Sequence, residues 1–265
     1  MNFKELQVDR DGSVLCIRFN RARAFNAMNF ALLAELAQAI DLAAADSGLR
    51  VVVLTGNGRA FSAGADLTAT MAQPPLDADG RIDLGYALAH YYNPIVRRMQ
   101  ALPQPVIAAV NGVAAGGAAS LALGADLTVA ARSASFVQAF IHVGLVPDAG
   151  GSWFLPRLVG RQRAMGMSLL GQTVSAERAL ELGMIWDVVD DDDLLPASMR
   201  LAQKLASGPR TGIAAMKRAL HAAADNTLDQ QLDLEEHLQR ECGLCPDFAE
   251  GANAFIEKRR PVFAA

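Results

Sequence analysis

Phe61-Ser-Ala-Gly-Ala-Asp66 and Asn111-Gly-Val-Ala-Ala-Gly-Gly117 are the two stretches that decide the fold. Each follows an apolar, strand-like run and places small residues where the backbone must approach another group closely. If one bare N–H group from each stretch faced the same oxygen, the two would form an oxyanion hole, which stabilises negative charge developing on a carbonyl. The alternative is that the glycines only allow tight packing of a helix on a strand, and for either stretch alone that role is favoured.

The composition indicates a compact, well-buried protein. The chain has 265 residues, of which 52% are hydrophobic and 22 are glycine, as expected for one α/β domain or for such a domain with a helical extension. A formal net charge of −4 without a basic stripe argues against a nucleic-acid partner. Neither a membrane span nor the apolar segment of a secretion signal is recognisable, so we expect a cytoplasmic protein without membrane contact.

Cysteine usage argues against a disulfide framework, because the chain has only three cysteines. Cys242 and Cys245 have the spacing of a redox pair or of half a zinc site, but the remaining thiol, Cys16, lies in a strand-like run. The pair follows a helical stretch and directly precedes Pro246. We therefore expect two incidental thiols at a turn between helices, and we expect neither a metal site nor a cofactor.

The first half of the chain alternates strands and helices. Apolar runs that predict strands occur at residues 4–8, 14–19, 50–54, 105–110 and 125–130. Apolar residues at helical spacing predict helices at residues 29–45, with Asn29 as the cap, and at residues 117–123. Because apolar strands that alternate with helices form parallel sheets covered on both faces, we predict an α/β fold.

After about residue 155 the pattern is almost entirely helical. Helices are predicted at residues 161–170, 175–182, 194–206, 212–224, 228–241 and 248–259, with one strand at residues 185–189. Ser175 is the predicted N-cap of the second of these helices. We divide the chain into an α/β core at residues 1–195 and a helical region at residues 196–265, which either folds back or packs against another subunit. Residues 69–85 form the least regular segment, which fits either a flap over a pocket or a surface loop.

Most other motifs that could carry chemistry are incomplete. Gly56-Asn-Gly58 begins like a dinucleotide-binding fingerprint but has no third glycine, and the sequence contains neither a phosphate-binding loop nor a nucleophile elbow. The four histidines show no metal-ligand spacing. What remains is a third glycine-containing segment, Gly144-Leu-Val-Pro-Asp148-Ala-Gly-Gly151, beside the two stretches quoted first.

Together these segments resemble the crotonase, or enoyl-CoA hydratase/isomerase, superfamily. Further segments that carry the resemblance are Pro105-Val-Ile-Ala-Ala-Val-Asn-Gly112, Ser175-Ala-Glu-Arg-Ala-Leu-Glu-Leu-Gly183 and Phe255-Ile-Glu-Lys-Arg-Arg-Pro261. The resemblance covers nearly the whole chain and implies a spiral core of ββα units with a C-terminal helical extension. It also implies a homotrimer or a dimer of trimers, in which the helical region mediates trimerisation and covers coenzyme A.

The resemblance also implies roles for individual residues. The backbone N–H groups of Ala65 and Gly117 would hold the thioester oxygen of an acyl-CoA substrate. The residues that would contact coenzyme A are Ala63, Asp66, Leu67 and Lys258. For the basic run at residues 258–260, a solvated helix end is an equally good explanation, because cations are favoured there.

Two positions depart from the hydratases of the superfamily, which use two glutamates to hold and activate water. The corresponding positions, which we assign to the acyl pocket, carry Ser120 and Phe140. Hydration requires one group that takes a proton from water and another that positions the water or protonates carbon. The absence of both carboxylates therefore argues against efficient hydration.

Asp148 is the acid that remains. Dienoyl-CoA isomerases and chlorobenzoyl-CoA dehalogenases of the superfamily have a catalytic aspartate at this position, and residues 144–157 most resemble the branch that isomerises a ring epoxide in phenylacetate degradation. The alternative role is an N-cap of the following helix, which aspartate favours. Burial among apolar residues would raise the carboxyl pKa into the range that suits general acid–base catalysis.

We therefore expect an acyl-CoA isomerase that moves a proton through Asp148 while the oxyanion hole holds the dienolate. The substrate would be a ring epoxide or an unsaturated acyl chain, and Phe136, Phe140 and Trp153 are candidates for an aromatic wall. Three alternatives remain: a hydratase with atypical residues, a dehalogenase with Asp148 as nucleophile, and a non-catalytic acyl-CoA-binding protein.

Overall fold

The computed structural model describes residues 3–263. The strands are β1 (Leu6–Asp11), β2 (Val14–Phe19), β3 (Val51–Gly56), β4 (Ala60–Ser62), β5 (Val106–Val110), β6 (Val113–Ala115), β7 (Leu127–Ala131), β8 (Ser135–Val137), β9 (Thr173–Ser175) and β10 (Asp187–Val189). The larger sheet has the order β1-β2-β3-β5-β7-β10 and the smaller sheet the order β4-β6-β8-β9. Neighbouring strands are parallel except in the pairs β1–β2 and β8–β9.

The chain passes between the two sheets in a repeated order. β3, β5 and β7 are neighbours in the larger sheet, and the strands that follow them in sequence, β4, β6 and β8, are neighbours in the smaller sheet. Helical segments connect each pair of strands to the next. The predicted α/β spiral of ββα units is therefore confirmed. The smaller sheet is not visible in the apolar periodicity, because each of its strands is only 3 residues long.

The helices account for most of the remaining chain. They are α1 (Phe30–Ala45), α2 (Leu67–Ala72), α3 (Leu84–Ala87), α4 (Asn93–Ala101), α5 (Gly117–Leu123), α6 (Gly151–Val159), α7 (Arg161–Leu170), α8 (Ala176–Glu181), α9 (Leu194–Ala206), α10 (Arg210–Ala222), α11 (Leu228–Gly243) and α12 (Pro246–Ile256). A π-helical turn at Leu88–Tyr92 joins α3 to α4. Asn29 and Ser175 cap α1 and α8 with their side chains, as predicted.

The hydrophobic core lies against the larger sheet. Every residue of β5 is buried, and so is the apolar face of α1 that helical spacing predicts, including Leu32 and Leu36. α9 packs against β2, β3, β5 and β7. The predicted division after residue 195 falls inside α9, which belongs to the core by its packing. The helices that extend beyond the core begin with α10, which packs on α11, and α11 packs on α12.

The segment at residues 69–85 is more regular than predicted. The side chain of Asp66 accepts a hydrogen bond from the Ala69 N–H group and caps α2, so the prediction of irregular structure is wrong for the first turn of this segment. Further along, an isolated bridge joins Leu76 to Ile82 across an exposed turn. The helices α3 and α4, which follow, were not predicted.

The cysteine pair lies where the sequence predicts it. Cys242 is in the last turn of α11 and Cys245 directly precedes α12, so the prediction of a turn between helices is confirmed. Both thiols are free, as is the buried thiol of Cys16. Across residues 3–263, no three histidine, cysteine, aspartate or glutamate side chains are grouped to hold a metal ion. Within the same residues, no helix has the length and apolarity needed to cross a membrane.

Candidate active site

The two glycine stretches meet at one edge of the smaller sheet. β4 and β6 are parallel neighbours, so the residues that follow them leave the sheet at the same edge. Gly64 has a φ of +88°, and a Cβ atom at this position would lie 2.7 Å from the Ala115 carbonyl oxygen. A residue with a side chain would therefore force the two stretches apart, and the glycine is what permits their contact.

A cavity of about 120 Å³ opens where these stretches meet. Its lining residues are Ala63, Gly64, Ala65, Leu67, Tyr92, Gly116, Gly117, Ala139, Phe140, Val143, Leu145 and Asp148. The structure thus brings six of the predicted site residues together, although they come from four separate segments. A larger cavity of about 500 Å³ between α6 and α10 is lined mainly by apolar side chains and contains none of these six residues.

The backbone N–H groups of Ala65 and Gly117, which line this cavity, have no hydrogen-bond acceptor in residues 3–263. The neighbours of Ala65 are held by hydrogen bonds from the Met28 N–H to the Gly64 carbonyl (2.7 Å) and from the Asp66 N–H to the Met28 carbonyl (3.0 Å). The Ala65 N–H itself has no acceptor within residues 3–263. Gly117 is the first residue of α5, so its N–H has no acceptor within the helix. Two such donors at one cavity are what an oxyanion hole requires.

Within residues 3–263, Asp148 is the only carboxylate that lines the cavity. Its Oδ1 atom is buried and has no hydrogen-bond partner in the described part of the chain. This oxygen lies 3.0 Å from the point where a Cβ atom on Gly117 would stand, and it is therefore adjacent to one of the unpaired N–H groups. Burial raises the pKa of Asp148 to about 6, so the carboxyl can both take up and release a proton near neutral pH.

The turn that presents Asp148 leaves its side chain free for chemistry. The Asp148 carbonyl accepts a hydrogen bond of 2.8 Å from the Gly151 N–H. Ala149 and Gly150 both have positive φ, +49° and +83°, and Gly150 is the N-cap of α6 without a side-chain cap. The alternative interpretation of Asp148 as a helix cap is therefore wrong, because its carboxylate does not bond to the start of α6.

The two positions that carry glutamate in hydratases are occupied differently. Phe140 is buried and lines the cavity, with its ring close to Gly116. Ser120 is fully buried and does not line the cavity, in contrast to the expectation that it belongs to the acyl pocket. Ser120 lies one helical turn into α5, and its hydroxyl points to the Gly116 carbonyl oxygen. Neither position offers a carboxylate to a water molecule.

Tyr92 lines the cavity although no sequence pattern pointed to it. Its ring lies 3.4 Å from the position that a Cβ atom on Gly117 would take. Burial and the nearby charges of Asp148 and Asp66 raise the pKa of its phenol, so the hydroxyl keeps its proton. Tyr92 ends the π-helical turn at Leu88–Tyr92, and such turns occur frequently at functional sites. Only the position of Tyr92 in the folded chain reveals its place at the cavity, and no sequence pattern indicates that position.

Asp66 has a structural contact that the sequence did not reveal. Its carboxylate forms an ion pair of 2.8 Å with Arg21, which also pairs with Glu5 at 2.9 Å. Burial by itself would raise the pKa of Asp66, but hydrogen bonds from the Ala69 N–H and from Arg21 outweigh it and hold the pKa below its ordinary value. The side chain therefore anchors the start of α2, while the next residue, Leu67, lines the cavity.

Several predicted contacts lie away from the cavity. Lys258 follows α12, is exposed, and does not line the cavity of its own chain. Phe136 is buried in β8, and Trp153 stacks under Arg157 on α6 and lines the larger cavity instead. The prediction of an aromatic wall is therefore wrong for these two residues and holds only for Phe140.

Comparison with known proteins identifies the class. Residues 9–265 match the enoyl-CoA hydratase/isomerase family, and the chain belongs to this family. It is 49% identical to the 1,2-epoxyphenylacetyl-CoA isomerase of Escherichia coli (strain K12) over 250 residues, which are 94% of each chain. It is 43% identical to a probable enoyl-CoA hydratase of Rhodobacter capsulatus over 263 residues, 99% of each chain.

The fold agrees with solved structures of the same class. The structure superimposes on an enoyl-CoA hydratase from Bacillus anthracis with a TM-score of 0.91 and 33% identity, covering 98% of this chain and 99% of the other. The protein is therefore a crotonase-fold member of a family of acyl-CoA isomerases and hydratases. Because relatives of both activities match nearly the whole chain, the overall similarity does not choose between the two reactions.

Proposed function

We propose that the protein is an acyl-CoA isomerase that moves a proton through Asp148. The observation that carries the proposal is one buried carboxyl, whose Oδ1 has no hydrogen-bond partner among the described residues, at the same cavity as the Ala65 and Gly117 N–H groups, which have no acceptor there either. A single carboxyl that titrates near pH 6 suits a reaction in which the same group accepts and returns a proton.

The N–H groups of Ala65 and Gly117 would bind the thioester oxygen and stabilise the charge that develops on it. With the oxygen held in this way, Asp148 takes a proton from the carbon beside the thioester carbonyl, and the C–H electron pair moves into a dienolate. Asp148 then returns the proton to a more distant carbon of the conjugated system. The C–H bond that breaks is replaced by another, so the product is an isomer of the substrate and no co-reactant is consumed.

We propose a ring-epoxidised phenylacetyl-CoA as the first candidate substrate and a 3-enoyl-CoA as the second. The ring epoxide would open to a seven-membered oxepin thioester, which has the same atoms as the substrate. The similarity to the Escherichia coli isomerase supports this choice. The buried ring of Phe140 supports it as well, since a flat apolar wall suits an aromatic or unsaturated acyl group.

Binding of the coenzyme A portion is part of the same proposal. Ala63 and Leu67 line the cavity, and Asp66 lies between Leu67 and the proposed donor Ala65 in the sequence, so this stretch would contact coenzyme A. Lys258 would meet coenzyme A phosphates of a neighbouring subunit in a trimer or a dimer of trimers, because it does not reach the cavity of its own chain.

Hydration of an enoyl-CoA is the second candidate, and the similarity to a probable hydratase favours it. In this reaction Asp148 would have to act on water alone, since Phe140 and the buried Ser120 replace the two glutamates. Conversion of crotonyl-CoA to its hydroxyacyl product, faster than isomerisation of 3-enoyl-CoA, would support hydration and contradict the isomerase proposal.

Asp148→Asn tests the proposed base directly. We expect isomerisation of both candidate thioesters to fall by roughly 10²–10⁴-fold, the range for loss of a general acid–base group. Binding of a saturated acyl-CoA, measured by calorimetry, should be nearly unchanged because the N–H donors remain. The matched control is Asp192→Asn, which removes an exposed carboxylate outside the cavity and should leave the rate unaltered. Full activity of the Asp148→Asn variant would show that another group is the base.

A further inference from the structure

The N-terminal ends of α5 and α6 face each other through two glycines. A Cβ atom on Gly117, at the start of α5, would lie 3.0 Å from Oδ1 of Asp148, which precedes α6. A Cβ atom on Gly151, at the start of α6, would lie only 2.3 Å from Oγ of Ser120 in α5. Each glycine thus makes room for a polar side chain from the opposite segment. The second contact, between Gly151 and Ser120, lies outside the lining of the cavity and is not used by the proposed reaction.

Ser120 contacts the peptide group that contains the proposed oxyanion donor. Its N–H and its hydroxyl both donate to the Gly116 carbonyl oxygen, at 3.1 Å and 3.4 Å. That carbonyl and the Gly117 N–H belong to the same peptide group. Because a peptide group is planar, a contact that fixes the direction of its C=O bond also fixes the direction of its N–H bond. Donation to the carbonyl further polarises the amide and strengthens its N–H as a donor.

The backbone at this point needs such support. Gly116 has φ of +54° and ψ of −129°, a conformation that glycine adopts far more readily than other residues. Glycine also has the greatest conformational freedom, and neither Gly116 nor Gly117 has a side chain that could hold the peptide in place. The contacts from Ser120, which is fully buried, come from inside the protein and leave the N–H free to face the cavity.

The same hydroxyl also supports the turn that carries Asp148. The Gly151 N–H donates to the Asp148 carbonyl at 2.8 Å, so the position of Gly151 determines the position of the turn. Gly151 packs against Ser120 Oγ. The buried Oε1 atom of Gln138 is also nearby, 3.4 Å from the position that a Cβ atom on Gly151 would take. One hydroxyl is therefore packed between the peptide that bears the proposed oxyanion donor and the turn that bears the proposed base.

We infer that Ser120 is a positioning residue, whose hydroxyl orients the Gly116–Gly117 peptide toward the thioester oxygen and sets its spacing from Asp148. The inference rests on the proposed function and adds to it a role for a residue that never touches the substrate. It replaces the expectation that Ser120 belongs to the acyl pocket.

The test is a double-mutant cycle of Ser120→Ala and Gly151→Ala, measured by kcat, KM and Tm with a 3-enoyl-CoA substrate. Ser120→Ala should lower kcat about tenfold, the effect of one hydrogen bond, with KM and Tm close to wild type. Gly151→Ala should lower both kcat and Tm, because the new methyl group meets Ser120 Oγ. In the double variant Tm should recover, since the hydroxyl is gone, but kcat should stay at or below the level of Ser120→Ala.

Two further measurements separate positioning from packing. The infrared carbonyl stretch of bound butyryl-CoA, a saturated thioester that does not isomerise, should shift less to low frequency in Ser120→Ala than in wild type, because a misaligned donor polarises the carbonyl less. In the pH profile of kcat, Ser120→Ala should have the same midpoint as wild type but a lower maximum value of kcat. Ser198→Ala is the matched control: Ser198 is also fully buried, lies on α9 outside the cavity, and should leave kcat and the carbonyl stretch unaltered.

The inference would be overturned if Ser120→Ala had the same kcat as wild type and bound butyryl-CoA with the same carbonyl stretching frequency. It would also be overturned if the double variant recovered kcat together with Tm, since packing alone would then account for the loss. The proposed function is tested separately by Asp148→Asn. If that variant is inactive and Ser120→Ala is fully active, the inference about Ser120 fails alone, whereas an active Asp148→Asn variant refutes the proposed base.

Discussion

Asp148 and Asp126 are both largely enclosed carboxylates, and the protein surrounds them in opposite ways. Asp126 pairs with Lys217 Nζ at 2.7 Å and with His221 Nε2 at 3.2 Å, and it accepts a bond from the Val106 N–H at 2.7 Å. Oδ1 of Asp148 has no partner in residues 3–263. Both carboxylates lose hydration on folding, but polar contacts compensate for this loss only at Asp126.

The pKa values follow this difference. Burial raises the pKa of Asp148 to about 6, and nothing opposes the change. Burial would also raise the pKa of Asp126, but the bonds from His221, Lys217 and Val106 outweigh it and hold the pKa below its ordinary value. The comparison teaches that enclosure alone does not mark a reactive carboxyl. A carboxyl left without partners remains available for proton transfer, whereas one with three partners fixes the structure.

The largest effect on stability should come from breaking the Asp126 site. Lys217 is buried and also donates to the carbonyls of Met99 and Gln104, so Lys217→Met leaves three buried acceptors without their shared donor. We expect a loss of about 4 kcal/mol in the free energy of unfolding, measured in urea, as for other buried ion pairs deprived of one partner.

The exposed Lys204 provides the control, since Lys204→Met should change the free energy of unfolding by less than about 0.5 kcal/mol. If Lys217→Met were as stable as that control, Asp126 would have to be held by its other contacts. The contrast between the two carboxylates would then be smaller than the geometry indicates.

A smaller effect, opposite in sign, should follow from Asp148→Asn. The folded-state pKa of about 6 is above the ordinary value of 3.8, so folding favours the protonated carboxyl. Its contribution to stability is complete below about pH 4 and is lost as pH rises through 6. The variant should therefore be close to wild type in stability at pH 4 and exceed it by about 3 kcal/mol at pH 8, in urea unfolding at both pH values.

Asp126→Asn should show the reverse pH dependence, because a depressed pKa stabilises the protein above the unfolded pKa and that stability is lost as pH falls through the folded pKa. The variant should thus be less stable than wild type at pH 8, with a difference that shrinks in acid. Equal stability of Asp148→Asn and wild type at pH 8 would show that the Asp148 carboxylate ionises without cost.

Asp66 is a third carboxylate and has a basic partner, Arg21. We expect the smallest effect there. Arg21→Gln removes the ion pairs to Asp66 and Glu5 from a half-buried position. We expect a loss of about 1 kcal/mol in the free energy of unfolding together with a modest rise in KM for the thioester, because the start of α2 borders the cavity. Arg81→Gln, whose ion pairs to Asp77 and Asp79 are exposed, is the control and should change neither quantity.

Residue types at fixed positions were enough to predict much of the site. The glycine stretches, Asp148, and the replacement of two glutamates by Ser120 and Phe140 are all visible in the sequence, and the cavity contains six of the predicted residues. Tyr92 was missed because it lies on a π-helical turn that no periodicity predicts. Ser120 was misplaced because its spacing from Gly117 in the sequence does not reveal that its side chain lies outside the lining of the cavity.

The sequence by itself determined an α/β fold and the caps at Asn29 and Ser175, because apolar periodicity and capping residues are local properties of the chain. Its small-residue motifs determined the family, and the spiral of ββα units followed from that resemblance. Only the tertiary structure decided which groups remain unpaired. Whether Asp148 caps a helix, and whether Asp126 is free or paired, depends on partners that lie far away in the chain. Partners and desolvation set the pKa of a carboxyl, and both arise only when distant segments come together.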